Sequence, residues 1–248
     1  MWLRRFGLAA GAVAAGAVAV RSASCADGPF ARARVVDTVD VAATRWVKLQ
    51  TLTYTDPTGR TRKWDRATRT TRLSSHGPDG VAILALLRHR NEPYEKAEVL
   101  LITQFRPPVD AVTVELPAGL VDPGEAVEVA ALRELKEETG YVGSVVNVSG
   151  ALGMSPGLCD ESACLCVVEV DLDAPANAAP KQELEDSEFI KVHRVALNAL
   201  LPTIKDMEQA GIVPFAGLYT LAVGLSLGLG GGSAALIGPK LGTNPPAT

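Results

Sequence analysis

Residues 115–141 read ELPAGLVDPGEAVEVAALRELKEETGY, and this stretch decides how the rest of the chain is interpreted. Its second half predicts a helix over about 126–139, because apolar residues recur there at spacings of three and four. Glu134, Glu137 and Glu138 are also three and four residues apart, so their carboxylates converge on one surface of the helix. They occupy its last turns, where the helix dipole disfavours negative charge. Since local rules are broken together here, the acidic cluster indicates a functional site.

A divalent cation would relieve the repulsion within this acidic cluster. Carboxylate oxygens on a rigid helix suit Mg²⁺ or Mn²⁺, which keep several waters for substrate phosphates to replace. Zinc is disfavoured because the segment contains neither Cys nor His. Arg133 can orient the neighbouring carboxylates through its forked hydrogen-bond donors. From the helix alone, a solvated charged face on a surface helix is the alternative.

The fixed residues of this stretch are spaced as in the Nudix box. The pattern is Gly119 and Glu125 with five residues between them, then seven residues, then Arg133-Glu134-Leu135, Glu137-Glu138, Gly140 and the apolar Tyr141. The chain therefore resembles a Nudix hydrolase. The resemblance implies an α+β fold, with a mixed β-sheet in an α/β/α sandwich. It also implies hydrolysis of a nucleoside diphosphate linked to another moiety, with Mg²⁺ as cofactor and Mn²⁺ as its substitute.

The same resemblance assigns roles to residues of the box. Glu134 and Glu138 would be the principal metal ligands, with Glu137 assisting and the backbone carbonyl of Ala118 as a further ligand. Arg133, which orients the glutamates, and Glu137 would both contribute to catalysis.

Flanking features are similar to the ADP-ribose and ADP-sugar pyrophosphatase branch of that family. Pro156 follows Tyr141 by fifteen residues. The other features are the segments 104–108 and 115–119 and a hairpin that contains Trp46 and Trp64. In that branch the hairpin helps to form a homodimer and two tryptophans sandwich the adenine. The resemblance therefore implies substrate contacts from Trp46, Trp64, Arg69, Arg106, Leu120 and Met154. Without the resemblance, cross-strand packing of the two tryptophans is the ordinary interpretation.

A general base is expected from the loop that follows the box. Ser187-Glu188-Phe189 matches the Gly-Glu-Phe of the ADP-sugar branch, so Glu188 is the predicted base. The alternatives in the same loop are Glu183, Glu185 and Asp186. Ser155 stands where close relatives have aspartate, which leaves the preferred sugar open.

The remaining sequence predicts the rest of the architecture. An alternating pattern split by Asp56-Pro57-Thr58-Gly59 predicts an antiparallel β-hairpin within 44–75. The resemblance implies that this hairpin serves dimerisation and adenine contact. Residues 76–230 would form the hydrolase domain. Within it, five apolar runs predict strands near 80–89, 97–106, 112–116, 163–172 and 188–195, and further helices lie near 195–209 and 214–229. The Gly- and Pro-rich residues 231–248 predict a flexible tail.

The composition of the chain gives indications of its cellular location and of its partners. Residues 1–36 carry five arginines and one acid, which indicates a targeting presequence of mitochondrial type. A secretory signal, or a disordered leader on a cytoplasmic protein, is the alternative. A net charge of −4 argues against a nucleic-acid partner. The chain lacks an uninterrupted apolar run of about 20 residues, so no membrane span is expected.

Together these observations predict a homodimeric, Mg²⁺-dependent ADP-sugar pyrophosphatase. Its small-molecule substrate would be a nucleotide sugar, and ADP-ribose would yield AMP and ribose 5-phosphate. One alternative is a Nudix hydrolase of oxidised nucleoside diphosphates or dinucleotides. The other is a Nudix-like module that binds ADP-ribose without cleaving it.

Overall fold

The computed structural model describes residues 28–72 and 77–228, which contain twelve strands and three α-helices. Most of the predicted leader and the whole predicted tail lie outside these residues. The strands are β1 (Arg34–Ala43), β2 (Val47–Thr55), β3 (Thr61–Arg69), β4 (Gly80–Arg88), β5 (Glu98–Arg106), β6 (Ala111–Glu115), β7 (Ala118–Leu120), β8 (Ser144–Val148), β9 (Leu152–Gly153), β10 (Ser162–Asp171), β11 (Lys191–Ala196) and β12 (Val213–Pro214). The helices are α1 (Val127–Thr139), α2 (Leu200–Gln209) and α3 (Ala216–Gly228).

Nine of the strands form one mixed sheet. Its main path runs β12-β6-β5-β4-β10-β8, with β11 paired to β5, β7 to β4 and β9 to β10. The central pair β4 and β10 is parallel, while β5 is antiparallel to β4, β6 and β11. The near-continuous apolar sequences of β4 and β10 suit strands that are covered on both faces.

Helices cover both faces of this sheet. On one face, Ala130, Ala131 and Leu135 of α1 pack against alternate residues of β4 and β10. On the other, α2 and α3 pack against β5, β6 and β11; the buried helical residues are Leu200, Leu201, Ile204, Leu218 and Ala222. The predicted α+β sandwich with a mixed sheet is confirmed.

Helix α1 ends where the sequence predicts. Gly140 adopts a φ of 77°, and its N–H donates to the carbonyl of Lys136 at 2.8 Å. This left-handed position favours glycine. A Cβ there would also lie 2.2 Å from the backbone nitrogen of Lys181, so the neighbouring segment approaches the helix end closely.

The N-terminal strands form a separate three-stranded sheet in the order β1-β2-β3. The hairpin of β2 and β3 is confirmed, and Gly59 closes its turn with a φ of 88°. By compactness the chain divides into two units, one containing residues 28–38 and 52–64 and the other 39–51 and 65–228. Within the second unit, the backbone N–H of Ala67 in β3 donates to the Leu158 carbonyl at 2.9 Å.

Some elements differ from the sequence-based expectation. Strand β1 was not predicted, and it begins at Arg34, inside the stretch whose composition indicates a leader. Helix α2 begins at Leu200 rather than near 195, because Val195 belongs to β11. Strand β11 begins at Lys191, so Glu188 lies in the preceding loop. Within residues 28–72 and 77–228, no helix combines the length and hydrophobicity required to cross a bilayer.

Candidate active site

An open cavity of about 560 Å³ lies in the second unit between β4, β7 and the polar side of α1. Ten of the twelve predicted site residues line this cavity, which we call the active-site cavity. They are Arg69, Arg106, Ala118, Leu120, Arg133, Glu134, Glu137, Glu138, Met154 and Glu188. The exceptions are Trp46 and Trp64.

Glu138 is the most deeply buried acid of the cavity, with 3% of its surface exposed. Its Oε2 accepts a hydrogen bond from the backbone N–H of Ala118 at 2.9 Å. Burial raises the pKa of Glu138 to about 8, and the charges of Glu134 and Glu188 act in the same direction. A carboxylate so placed needs a cation to hold its negative charge at neutral pH.

Arg133 organises the other acids of the box. Its Nε and Nη2 donate to both oxygens of Glu125, each at 3.0 Å, and its Nη1 donates to Glu134 at 2.8 Å and to Glu137 at 3.1 Å. The hydrogen bonds from Arg133 lower the pKa of Glu125. Burial raises the pKa of Glu134, although the same arginine opposes the shift. Arg133 therefore orients three carboxylates without neutralising all of them.

The backbone of β7 presents polar groups to α1. The Leu120 carbonyl accepts from Arg133 Nη2 at 3.0 Å. The carbonyl of Pro117, which precedes β7, points the other way and accepts from the Ile83 N–H of β4. The N–H and C=O of one residue in a strand point to the same side. Since the Ala118 N–H meets Glu138, the Ala118 carbonyl lies on the side of α1, as the resemblance requires of a metal ligand.

Gly119 lets the side chain of Glu134 lie against β7. A Cβ at position 119 would fall 1.9 Å from Glu134 Cδ. We therefore expect Gly119→Ala to displace Glu134 and weaken Mn²⁺ binding, measured by calorimetry, by at least about tenfold, because even outer-shell partners are worth that much. The overlap involves the end of a flexible side chain, so the unfolding temperature should change little.

Gly150→Ala is the matched control, since a Cβ at Gly150 meets no atom within 4 Å. Unchanged Mn²⁺ affinity in Gly119→Ala would contradict the place of Glu134 in a metal site.

Two arginines face the acids, and each is held by a glutamate. Arg106 makes a forked pair with Glu115 through Nε at 3.0 Å and Nη2 at 2.7 Å. Burial opposes ionisation of Glu115, but the hydrogen bonds from Arg106 and Thr113 lower its pKa. Arg69 donates to Glu161 Oε1 through Nε at 2.7 Å. Forked guanidinium donors of this kind suit diphosphate oxygens.

The predicted base and its rivals occupy different positions. Glu188 and Glu185 both line the active-site cavity, whereas Glu183 and Asp186 are not among its lining residues. The N–H of Glu185 donates to Glu188 Oε2 at 3.0 Å, and the N–H of Glu188 donates to the Glu185 carbonyl at 3.0 Å. This local turn holds Glu188, whose charge lies close enough to Glu134 and Glu138 to help raise the pKa of each.

The two tryptophans are exposed, Trp46 in the bend between β1 and β2 and Trp64 on β3. Trp46 is 54% exposed and Trp64 is 50% exposed. The guanidinium of Arg45 lies over the Trp46 ring, 4.4 Å from its centroid. Neither ring is buried as an ordinary core residue would be.

The structure adds residues that the sequence interpretation had not assigned. Glu161, Gln104 and Phe215 line the active-site cavity, and Glu115 holds Arg106 there. Arg69 and Glu161 are 92 residues apart in the chain, so no local signal could have joined them. Glu115 adjoins the box, but the register of β5 and β6 places Ile102 opposite it and Ala111 opposite Arg106, so the sequence of these strands does not indicate the Arg106–Glu115 ion pair.

The donor set of the cavity fits a hard divalent cation that retains waters. Three carboxylates of α1, the Ala118 carbonyl and Glu188 supply only oxygen ligands. Among the described residues, however, no group of three or more acidic, His or Cys side chains is arranged so that it could hold a metal ion by itself. A cation bound here would need oxygens of water and of substrate phosphates to complete its coordination.

Comparison with known proteins agrees with this geometry. The NUDIX domain family matches residues 78–214. An ADP-ribose pyrophosphatase of Saccharomyces cerevisiae is 41% identical over 208 residues, which cover 83% of this chain and 89% of that protein. An ADP-sugar pyrophosphatase of Mus musculus is 41% identical over 157 residues, which cover 63% and 70% respectively. The crystal structure of an ADP compounds hydrolase superposes with a TM-score of 0.52 at 18% identity, covering 80% of this chain and 96% of that one, and so shares the fold. The sequence, the sheet topology and the box together establish that the chain belongs to the Nudix family.

Proposed function

We propose that this protein hydrolyses the diphosphate bond of ADP-sugars, with ADP-ribose as its main substrate and AMP and ribose 5-phosphate as products. Two relatives that are each 41% identical carry the names ADP-ribose pyrophosphatase and ADP-sugar pyrophosphatase. The similarity to the first extends over 83% of the chain, well beyond the box. The similarity therefore includes residues outside the catalytic helix, and these residues set the substrate preference.

One observation carries the proposal: the active-site cavity combines an acidic wall on α1 with arginines opposite. The acids Glu134, Glu137 and Glu138 suit a metal, while Arg69 and Arg106 suit the negative charges of a diphosphate. Glu161 and Glu115 neutralise these arginines in the structure. A diphosphate would compete with them for the guanidinium groups.

The cofactor is Mg²⁺, with Mn²⁺ as a substitute. Glu134, Glu138 and the Ala118 carbonyl would hold it, and Glu137 would assist. When bound, the cation neutralises charge on the phosphoryl oxygens and lowers the pKa of a coordinated water. Nudix hydrolases generally need a divalent metal, and an oxygen-only donor set favours these two ions.

The chain's own residues perform the remaining tasks. Arg106 and Arg69 bind and orient the diphosphate, so that one phosphorus faces the acidic wall. Glu188 accepts the proton of the attacking water. Met154 and Leu120 bound the cavity beside the substrate. Arg133 keeps Glu134 and Glu137 in place throughout. Its guanidinium group makes five hydrogen bonds, two to Glu125 and one each to Glu134, Glu137 and the Leu120 carbonyl.

Trp46 and Trp64 are proposed to stack on the adenine. We expect Trp46→Ala or Trp64→Ala to raise KM for ADP-ribose by about 5- to 150-fold, since stacking is worth about 1–3 kcal/mol per base. kcat should change much less, because stacking is equal in the ground and transition states. Steady-state kinetics measure both constants.

Trp→Phe at the same positions is the control, because phenylalanine retains an aromatic face and should lose less affinity. If the Ala variants lower the unfolding temperature but leave KM unchanged, the tryptophans are packing residues and the adenine lies elsewhere.

A homodimer and a mitochondrial location are further parts of the proposal. The N-terminal strands expose valines that a partner subunit could cover; they are Val35, Val36, Val39, Val41 and Val47. The mass in solution, measured by light scattering, tests the dimer.

A fusion of residues 1–40 to a fluorescent protein tests the compartment, with the secretory pathway and the cytoplasm as the contrary outcomes.

AMP release from ADP-ribose, with and without Mg²⁺, tests the activity. We expect Mg²⁺-dependent release, and faster release than from oxidised nucleoside diphosphates or dinucleotides in the same panel. Preference for one of those compounds would favour a different Nudix hydrolase. Binding of ADP-ribose without turnover would instead indicate a non-catalytic module, which the complete set of box glutamates disfavours.

A further inference from the structure

The loop that carries Glu188 begins at the C-terminal end of α1. We call residues 181–190 the base loop. The N–H of Glu183 donates to the Glu137 carbonyl at 2.8 Å. The last carbonyls of a helix have no partner within it, so contacts of this kind satisfy them and fix the start of the loop.

Gln182 makes a second and more extensive connection. Its Nε2 donates to the Glu138 carbonyl at 2.6 Å and to the Ile190 carbonyl at 3.1 Å. Both partners are carbonyl acceptors, so only the amide nitrogen of Gln182 can face them, and it uses both of its hydrogens. Glu138 is a buried residue of α1, and Ile190 is a buried residue at the far end of the base loop.

One side chain therefore joins three points of the protein. It ties the start of the base loop, the end of that loop and the end of the metal-binding helix. Glu188 lies two residues before Ile190, so its separation from the carboxylates of α1 depends on this connection. Gln182 itself is not among the residues that line the active-site cavity.

We propose that Gln182 is a positioning residue that holds Glu188 at its working distance from the acids of α1. The inference rests on the proposed function and on Glu188 as the base. Loss of the amide hydrogens would leave the Glu138 and Ile190 carbonyls without this donor and break the link between the end of α1 and the far end of the base loop, while the Glu183 N–H would still hold the start of the loop. Glu188 would remain present but would no longer be fixed relative to the site of attack.

Gln182→Met tests the inference, because methionine has a similar length but no donors. We expect kcat for ADP-ribose to fall by about 10- to 100-fold, the usual effect of a small misplacement of a catalytic group. KM should stay within about threefold, since Arg69 and Arg106 are untouched. Gln182→Glu keeps the shape of glutamine but donates nothing when ionised, so it should show the same loss at neutral pH.

A double-mutant cycle separates positioning from a structural role. In a Glu188→Gln background, Gln182→Met should cost little further activity, because the group that it positions is already lost. Lys181→Met, at an exposed neighbouring side chain, should leave kcat unchanged. An equal loss in both backgrounds, or no loss in either Gln182 variant, would overturn the inference while the hydrolase activity stands. Absence of AMP release from the unmodified protein would instead overturn the proposed function, and this inference with it.

Discussion

Replacing Glu138 with glutamine should lower kcat for AMP release from ADP-ribose by about 10³-fold or more. Metal ions supply several kcal/mol of transition-state stabilisation, and each 1.36 kcal/mol is worth about tenfold in rate. Glutamine keeps the shape and the acceptor for the Ala118 N–H, but it removes the charge that would hold the cation. The measurement is kcat at saturating ADP-ribose and Mg²⁺.

The same substitution should stabilise the metal-free fold. Burial raises the pKa of Glu138 from its ordinary 4.5 to about 8. The unfolded chain releases this proton near pH 4.5, while the folded chain retains it until about pH 8. The unmodified protein therefore loses folding free energy as pH rises across this interval, whereas the glutamine of the variant has no proton to lose. In a chelating buffer, the unfolding temperature should fall more steeply with pH for the unmodified protein than for the variant.

Loss of activity combined with retained or increased stability would show that Glu138 serves the chemistry rather than the fold. Glu128→Gln is the matched control, because Glu128 is an exposed acid in the first turn of the same helix. It should leave kcat unchanged. Full activity of Glu138→Gln at saturating Mg²⁺ would contradict the proposed metal site.

The parts of the fold that the sequence predicted are those with a strong local pattern. The bounds of α1 agree to within one residue, because the helical periodicity and the Gly140 cap are both local. Strands β4, β5 and β10 carry long apolar runs and were predicted as well. Strands β7, β9 and β12 contain three residues or fewer, too short to show any period, and exist through pairing with β4, β10 and β6.

Strand β1 was missed for a different reason. Every residue of β1 is exposed, so its sequence lacks the alternation that a half-buried strand shows. Its neighbours are rich in arginine and alanine, which resembles a leader. Exposed strands are recognised through their partners, and pairing with β2 is not visible in the sequence of β1 alone.

The residues of the site show the same difference between local and long-range signals. The acids of the box were predicted because they share one helix, where spacing determines geometry. The partners of the arginines were not, since Arg69 reaches Glu161 only when β3 and β10 are both in place. Gln182 is likewise an ordinary loop residue until the loop closes on α1. Long-range contacts of this kind depend on topology, which local patterns do not encode.

Replacing Glu188 with glutamine should lower kcat by about 10²- to 10⁴-fold, the usual contribution of a general base. KM for ADP-ribose should change little, because Arg69 and Arg106, the proposed diphosphate contacts, are unchanged. The deficit should narrow as pH rises, since hydroxide then replaces the water that Glu188 deprotonates. Glu185 lines the same cavity, so Glu185→Gln is the informative rival substitution.

We expect Glu185→Gln and Asp186→Asn each to cost less than about tenfold. Glu185 holds Glu188 through its backbone N–H, which the substitution retains, and Asp186 does not line the active-site cavity. A larger loss at Glu185 than at Glu188 would transfer the role of base to Glu185. Equal losses at both, each constant with pH, would indicate that the base loop contributes its negative charge to metal binding. The pH profile therefore decides between proton transfer and electrostatics, because only a missing proton acceptor is relieved by hydroxide.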